Sequence, residues 1–187
     1  MYLIVGIGNP EEQYANTRHN MGFCAVNKLS EKYNINLDKS KFNAIYGKGE
    51  IYGEKVIIVK PQTYMNLSGE AVKKFVDYYK IENDKILIIY DDMDVEMGNI
   101  RVRKQGSSGS HNGMRSVVSM LGTEKIPRIR IGISKPENPN NNIDYVIGKV
   151  SKEEIEKLEP GIKKAEDAIC DIIKSGIDIA MNKYNNK

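Results

Sequence analysis

Only two cysteines occur in the 187 residues, Cys24 and Cys170, and they lie far apart. Their placement matches no disulfide framework, so a reducing, cytoplasmic environment is expected. No apolar run approaches the roughly 20 residues that a membrane span requires. The first residues lack the basic region and cleavage site of a secretory signal. Neither sign of charge dominates: 28 Lys and Arg against 25 Asp and Glu leave +3, too little to name a partner. With hydrophobic residues at 40%, the chain can bury one substantial core, and a single domain over residues 1–187 is expected.

Several familiar signatures are also missing. Gly6-Ile7-Gly8 has Glu11 where a dinucleotide loop needs its third glycine. No Gly-Lys-Ser/Thr follows the glycine-rich run Gly106–Gly113, and Gly-x-Ser-x-Gly is absent, which argues against a Walker loop and a serine hydrolase elbow. Asp92, Asp94 and Glu96 alternate as in a calcium loop, but Gly98 comes one place late and Arg103 stands where the bidentate Glu belongs. The two histidines, His19 and His111, form no His-Glu-x-x-His pair. Neither a metal nor a cofactor is expected.

What is present is alternation of strand and helix patterns. Continuously apolar runs at Tyr2–Val5, Val56–Val59 and Ile86–Tyr90 suit central strands covered on both faces. Ile100–Arg103 and Ile129–Ile133 are further candidates, with a weaker one at Tyr145–Ile147. Val72, Phe75, Val76 and Tyr79 recur at helical spacing, as do Met114, Val117, Val118 and Leu121 before Gly122 at a C-terminal cap position. Ser151 with Glu154 makes a capping box, and a longer helix is expected after Pro160-Gly161. Pro136–Asn142 reads as an exposed loop, and Tyr184–Lys187 as a frayed end. The whole predicts an α/β, three-layer domain with a central mixed sheet flanked by helices.

The chemistry-bearing residues cluster at strand ends. His19 follows a glycine turn after the first strand, and Asp91, Asp92 and Asp94 follow the strongest one. In α/β folds, reactive groups gather at the carboxyl edge of the sheet. A carboxylate there can accept the ring N–H of a histidine, fix its tautomer and raise its basicity, making His19 a base able to deprotonate water. Asn112 opens a helix after glycines, where it serves either as N-cap or as an amide donor to a ligand. Ser68 is placed to cap the helix after Lys60–Gly69, leaving Tyr64 and Asn66 on the preceding loop. Cys24 falls on a helical face with Ala25 and Leu29, as a buried structural thiol would. His111 is a second acid/base or simply a polar loop residue, and nothing around it favours the former. Between Gly98 and Ser134 lie Arg101, Arg103, Lys104, Arg115, Lys125, Arg128 and Arg130 against the single acid Glu124, a segment suited to phosphate. Scattering of these charges over several faces is an equally weighted reading.

Taken in order, VGIGNP, TRHNMG, PQTYMNLSG, YDDMD and GSHNGMRS closely resemble the bacterial peptidyl-tRNA hydrolases, from Tyr2 to about Val150. Tyr90-Asp91-Asp92-Met93-Asp94 departs from that family's usual His-Asp-Glu-Leu-Asp but keeps the orienting Asp. The resemblance implies hydrolysis of the ester between a peptide and the 3′-terminal ribose of tRNA by a monomeric cytoplasmic enzyme without metal or cofactor. It implies His19 as general base and Asp91 as its orienter. It further implies that Asn9, Asn66 and Asn112 position the peptide and ester, and that Tyr14 and Tyr64 contact the substrate near the tRNA end. Arg101 and Arg130 would then grip a tRNA phosphate. A non-catalytic RNA-binding protein and a small-molecule esterase are the rival classes.

Overall fold

The computed structural model describes residues 1–185. Among them the strands are β1 (Tyr2–Gly6), β2 (Lys39–Lys41), β3 (Ala44–Ile51), β4 (Glu54–Pro61), β5 (Ile86–Asp92), β6 (Ile100–Arg103) and β7 (Arg128–Gly132). The helices are α1 (Met21–Lys32), α2 (Ser68–Tyr79), α3 (Asn112–Leu121), α4 (Asn142–Ile147), α5 (Lys152–Ser175) and α6 (Ile177–Tyr184). The strands make one sheet in the order β2-β3-β4-β1-β5-β7-β6. Its four central strands run parallel, while β3 and β6 return antiparallel at either side. The sheet is mixed, and helices cover both of its faces.

Strand alternation builds both cores from the same runs. Tyr2, Ile4, Ile58, Leu87 and Ile89 pack toward α1 and α5, whereas Leu3, Val5, Ile57, Val59 and Ile88 pack toward α2 and α3. Most of these side chains are fully buried, each stabilising the fold by about 1.5–3 kcal/mol relative to exposure. Helix α1 lies unusually close to the sheet. A Cβ on Gly22 would overlap the carbonyl oxygens of Ile7 and Ile89, and one on Gly6 would overlap Gly22. That approach carries the turn Arg18–Asn20, just before α1, onto the carboxyl ends of β1 and β5.

Several expectations change. Tyr145–Ile147 is not a strand but the end of α4, reached through a 3-10 turn at Pro139–Asn141 that gives part of the Pro136–Asn142 loop a regular form. Asn138 opens that turn by accepting the Asn140 N–H, and Pro139 follows at a helix-compatible position. The C-terminal helix does not begin after Pro160: α5 runs through it. Pro160 and the Glu156 carbonyl it leaves without a partner are on the exposed side, while Leu158, Ile162, Ala165 and Ile169 continue the buried stripe. The capping of α5 by Ser151 is as expected, with its Oγ accepting the Glu154 N–H at 3.2 Å. Gly122 caps α3 at φ 70°. Ser68 does not cap α2; it is the first residue of the helix, and its hydroxyl donates to Met65 O. Tyr184 is not frayed, since its hydroxyl donates to Asp171 at 2.7 Å; Asn186 and Lys187 lie outside the described residues. Cys24 and Cys170 are unpaired, and burial holds the Cys24 thiol above its ordinary pKa. Among the described residues, no helix is long and apolar enough to cross a membrane.

Candidate active site

Asp91 ends the buried part of β5, and His19 stands on the turn entering α1. Distant in sequence, the two meet: His19 Nδ1 lies 2.9 Å from both Asp91 oxygens. Asp91 is 2% exposed and His19 9%. Burial alone would lower the imidazole pKa, but the Asp91 charge and hydrogen bond outweigh it and hold it above the ordinary value. Burial would likewise raise the Asp91 pKa, and the charges and hydrogen bonds of His19 and His111 reverse that, keeping it well below the usual carboxylate range.

His111, which the sequence did not set above an ordinary loop residue, joins the same cluster. Its Nε2 lies 3.0 Å from Asp91 Oδ1, and its ring centroid is 4.8 Å from that of His19. It also takes the place expected of Asn112: His111 is the N-cap of α3, its Nδ1 accepting the Met114 N–H at 3.1 Å, and Asn112 is the first helical residue. Those two bonds fix the tautomer. Nδ1 must supply a lone pair, so Nε2 carries the proton and donates to Asp91. The one available signal was position, since a second histidine stood at the start of a helix behind a flexible glycine run.

His19, Asp91 and His111 offer donor atoms within 4.8 Å of one another, the spacing of a metal cluster. Their hydrogen bonds point to a different use. His111 Nε2 holds a proton and its Nδ1 lone pair is engaged by Met114, while His19 Nδ1 donates to the carboxylate, so of the four imidazole nitrogens His19 Nε2 alone keeps an unengaged lone pair. That is the electronic state of a general base rather than of a ligand set.

The cleft in front of these groups has a volume of about 570 Å³, lined by His19, Asp91, Asn112, Arg103, Arg130 and the loop Gln105–His111 among others. Arg128 orders that loop from beneath. It is 1% exposed, and its guanidinium donates to Ser107 O at 2.8 Å, Glu124 O at 3.0 Å and Ile126 O at 3.0 Å. It therefore belongs to the scaffold and not to the cationic surface that its place in the sequence suggested. Arg130 lines the cleft with its Nε on Asp92 Oδ2 at 2.7 Å. Arg101 does not line the cleft; its Nη1 donates to Ile100 O. In the ladder Arg101 is the cross-strand partner of Arg130 and Arg103 that of Arg128, but it is Arg103 that lines the cleft together with Arg130.

Asn9, Tyr14, Tyr64 and Asn66 form an adjoining group outside the lining of that cleft. The backbone of Asn9 is clamped by the Asn20 amide through bonds of 2.8 and 2.9 Å, and Asn9 Oδ1 accepts the Met65 N–H at 2.9 Å. The Tyr64 hydroxyl donates to Glu11 at 2.7 Å. Asn66 and Asn112 are both exposed, on segments brought together where Gly113 abuts Met65, Ile7 and His111. Asn9 thus stands on the loop after β1, Asn66 on the turn before α2 and Asn112 at the start of α3, where it lines the cleft with His19.

Comparison with known proteins gives a consistent picture. The family model described as peptidyl-tRNA hydrolase matches residues 3–187. A peptidyl-tRNA hydrolase of Clostridium botulinum is 48% identical over 185 residues, covering 99% of this chain and 96% of its own. One from a Thermoanaerobacter species is 46% identical and is covered over its full length. The crystal structure of peptidyl-tRNA hydrolase from Acinetobacter baumannii superposes with a TM-score of 0.94 at 38% identity, covering 100% of this chain and 95% of that one.

Proposed function

The chain belongs to the peptidyl-tRNA hydrolase family, and from that membership and the site above we propose that it hydrolyses the ester joining a peptide to the 3′-terminal ribose of tRNA. The observation that carries the catalytic reading is the His19–Asp91 contact, which leaves one imidazole nitrogen with a free lone pair at the cleft. His19 Nε2 takes a proton from water as that water attacks the ester carbonyl. The resulting oxyanion needs a donor, and the Asn112 amide at the cleft is its source, worth about 3–4 kcal/mol if preorganised. Collapse of the intermediate expels the ribose oxygen, which takes its proton from the His19 imidazolium; the peptide is released as the carboxylic acid, which ionises by giving its proton to solvent.

Asn66 supplies a paired donor and acceptor for the peptide backbone and Asn9, whose Oδ1 is held by the Met65 N–H, supplies its Nδ2 as a donor, with Tyr14 and Tyr64 beside them toward the tRNA end. A free aminoacyl ammonium matches such neutral amides poorly, which protects charged tRNA. Arg101 and Arg130 were the expected phosphate grip. The placement of Arg103 in the cleft supports Arg103 with Arg130 in that role. We read the enzyme as a cytoplasmic monomer working on tRNA as released in translation.

The deciding experiment compares N-acetylated with unblocked aminoacyl-tRNA. Hydrolysis confined to the blocked substrate is expected. Binding without turnover would instead make the chain an RNA-binding protein, and turnover of simple esters alone would make it an esterase. In the same assay, Arg103→Ala and Arg130→Ala should each weaken binding and reduce the slope of log K against log salt by about 1. An unchanged slope removes that arginine from the grip.

A further inference from the structure

We propose that Arg18 is a positioning residue: it clamps α4 as the wall of the cleft beside His19, and substrate affinity depends on the clamp. The choice of substrate rests on the peptidyl-tRNA hydrolase reading; the clamp itself rests on geometry. Helix α4 has six residues, none of them buried. A helix that short does not hold together by its own hydrogen bonds, and its packing is limited to Tyr145 and Val146, each only partly buried against the core. Yet Asn142, Ile143 and Val146 of this helix line the cleft, with Ile143 76% exposed. Something outside the helix must fix it.

The guanidinium of Arg18 does so. Its Nη1 donates to the carbonyls of Tyr145 at 2.9 Å and Gly148 at 3.3 Å, at the C-terminal end of the helix, where a cation also suits the helix dipole; the Gly148 N–H closes the same turn on Tyr145 O at 3.1 Å, and the Arg18 N–H reaches Gly148 O at 3.4 Å. Its Nη2 pairs with Glu154 on α5 at 2.6 Å, and its Cζ lies 4.2 Å from the centroid of the Tyr145 ring. Gly148 approaches so closely that a Cβ would come within 2.8 Å of Nη1. The neighbouring backbone adds Val150 N to Asn16 O at 2.8 Å and a bridge between Thr17 and Lys149. Apart from these ties, the Tyr145 hydroxyl donates to Ile133 O. One planar fork therefore joins α4, α5 and the residue preceding the base. Lysine can keep the charge pair with Glu154 but cannot span two carbonyls and stack on a ring at once. His19 has its own anchor in Asp91, so loosening α4 acts on binding and leaves the chemical step in place.

The test measures KM and kcat on N-acetyl-aminoacyl-tRNA for Arg18→Lys, Tyr145→Leu and the double variant, with limited proteolysis of each full-length protein. Arg18→Lys should raise KM about tenfold, leave kcat within about twofold and speed cleavage between residues 136 and 149. Because both changes loosen one helix, the double variant should be within about twofold of the worse single variant. An unchanged KM in Arg18→Lys overturns the proposal, as does a fall in kcat at constant KM or fully multiplicative effects in the double variant. Should Arg18→Lys fail to fold, Tyr145→Leu carries the same expectations alone. Absence of turnover in the unmodified enzyme would sink the functional reading, and the proteolysis comparison would still decide the clamp.

Discussion

His19→Ala should lower kcat by about 10³–10⁴, the upper range for a positioned general base, while tRNA binding stays within a few-fold of the unmodified protein. The loss corresponds to about 4–5 kcal/mol of transition-state stabilisation. Binding is spared because the groups proposed to hold substrate stand on other elements, among them Arg103 on β6, Arg130 on β7 and Asn112 at the start of α3. The fold should survive as well. Asp91 loses one partner but keeps the His111 Nε2–H at 3.0 Å, so its charge is not stranded. Single-turnover hydrolysis and equilibrium binding, measured on the same preparation, check both halves. Turnover near normal would remove His19 as the base, and a matching loss of binding would turn it into a binding residue.

The sequence disclosed this site unevenly, for physical reasons. His19 and Asp91 could be paired because both follow runs that can only be buried central strands, and such strands bring their carboxyl ends together. The β2–β3 hairpin stayed hidden: Lys39-Ser40-Lys41 has no apolar alternation, and its turn is made by Phe42 and Asn43 at φ 54° and 56° without a glycine. Tyr145-Val146-Ile147 has strand-forming residues, but there Arg18 binds the carbonyls of a helix end, and tertiary contact overrides propensity. His111 and Arg128 were misjudged for a shared reason. Whether a polar side chain turns inward depends on partners remote in sequence: Asp91 for one, the carbonyls of Ser107, Glu124 and Ile126 for the other. Periodicity reports which residues are apolar. It says nothing of which polar ones find a buried mate.

Asp91→Asn tests the pair and the newly placed His111 together. His111 Nδ1 is committed to the Met114 N–H, so its Nε2 remains a donor and demands an acceptor. An asparagine at position 91 must therefore turn its carbonyl oxygen toward His111, which leaves its NH₂ facing His19 Nδ1. His19 Nδ1 lies 2.9 Å from both oxygen positions of residue 91, so it now meets an N–H donor as well as an acceptor, and that donor favours the His19 proton on Nε2, the tautomer that cannot accept a proton from water. The expected fall in kcat is about 10³-fold or more, as for a base held in the wrong tautomer, and raising the pH should not restore it. In the unmodified enzyme, activity should fall as pH drops through the raised His19 pKa, because the protonated imidazole is no base. With the carboxylate gone, only burial acts on the ring, so any residual acid limb should move to lower pH. Stability should follow the same logic. The His19 contribution is complete below its unfolded pKa and is lost as pH rises through its higher folded value, whereas the Asp91 contribution is present above the unfolded carboxylate value and lost as pH falls toward its depressed one. Urea titrations should therefore show the unmodified protein losing stability through this pair as pH rises above the ordinary imidazole value of 6.5 and through the raised His19 value, and Asp91→Asn losing less. If its acid limb stayed put and the two stability curves ran parallel, the carboxylate would not be what sets the state of the imidazole.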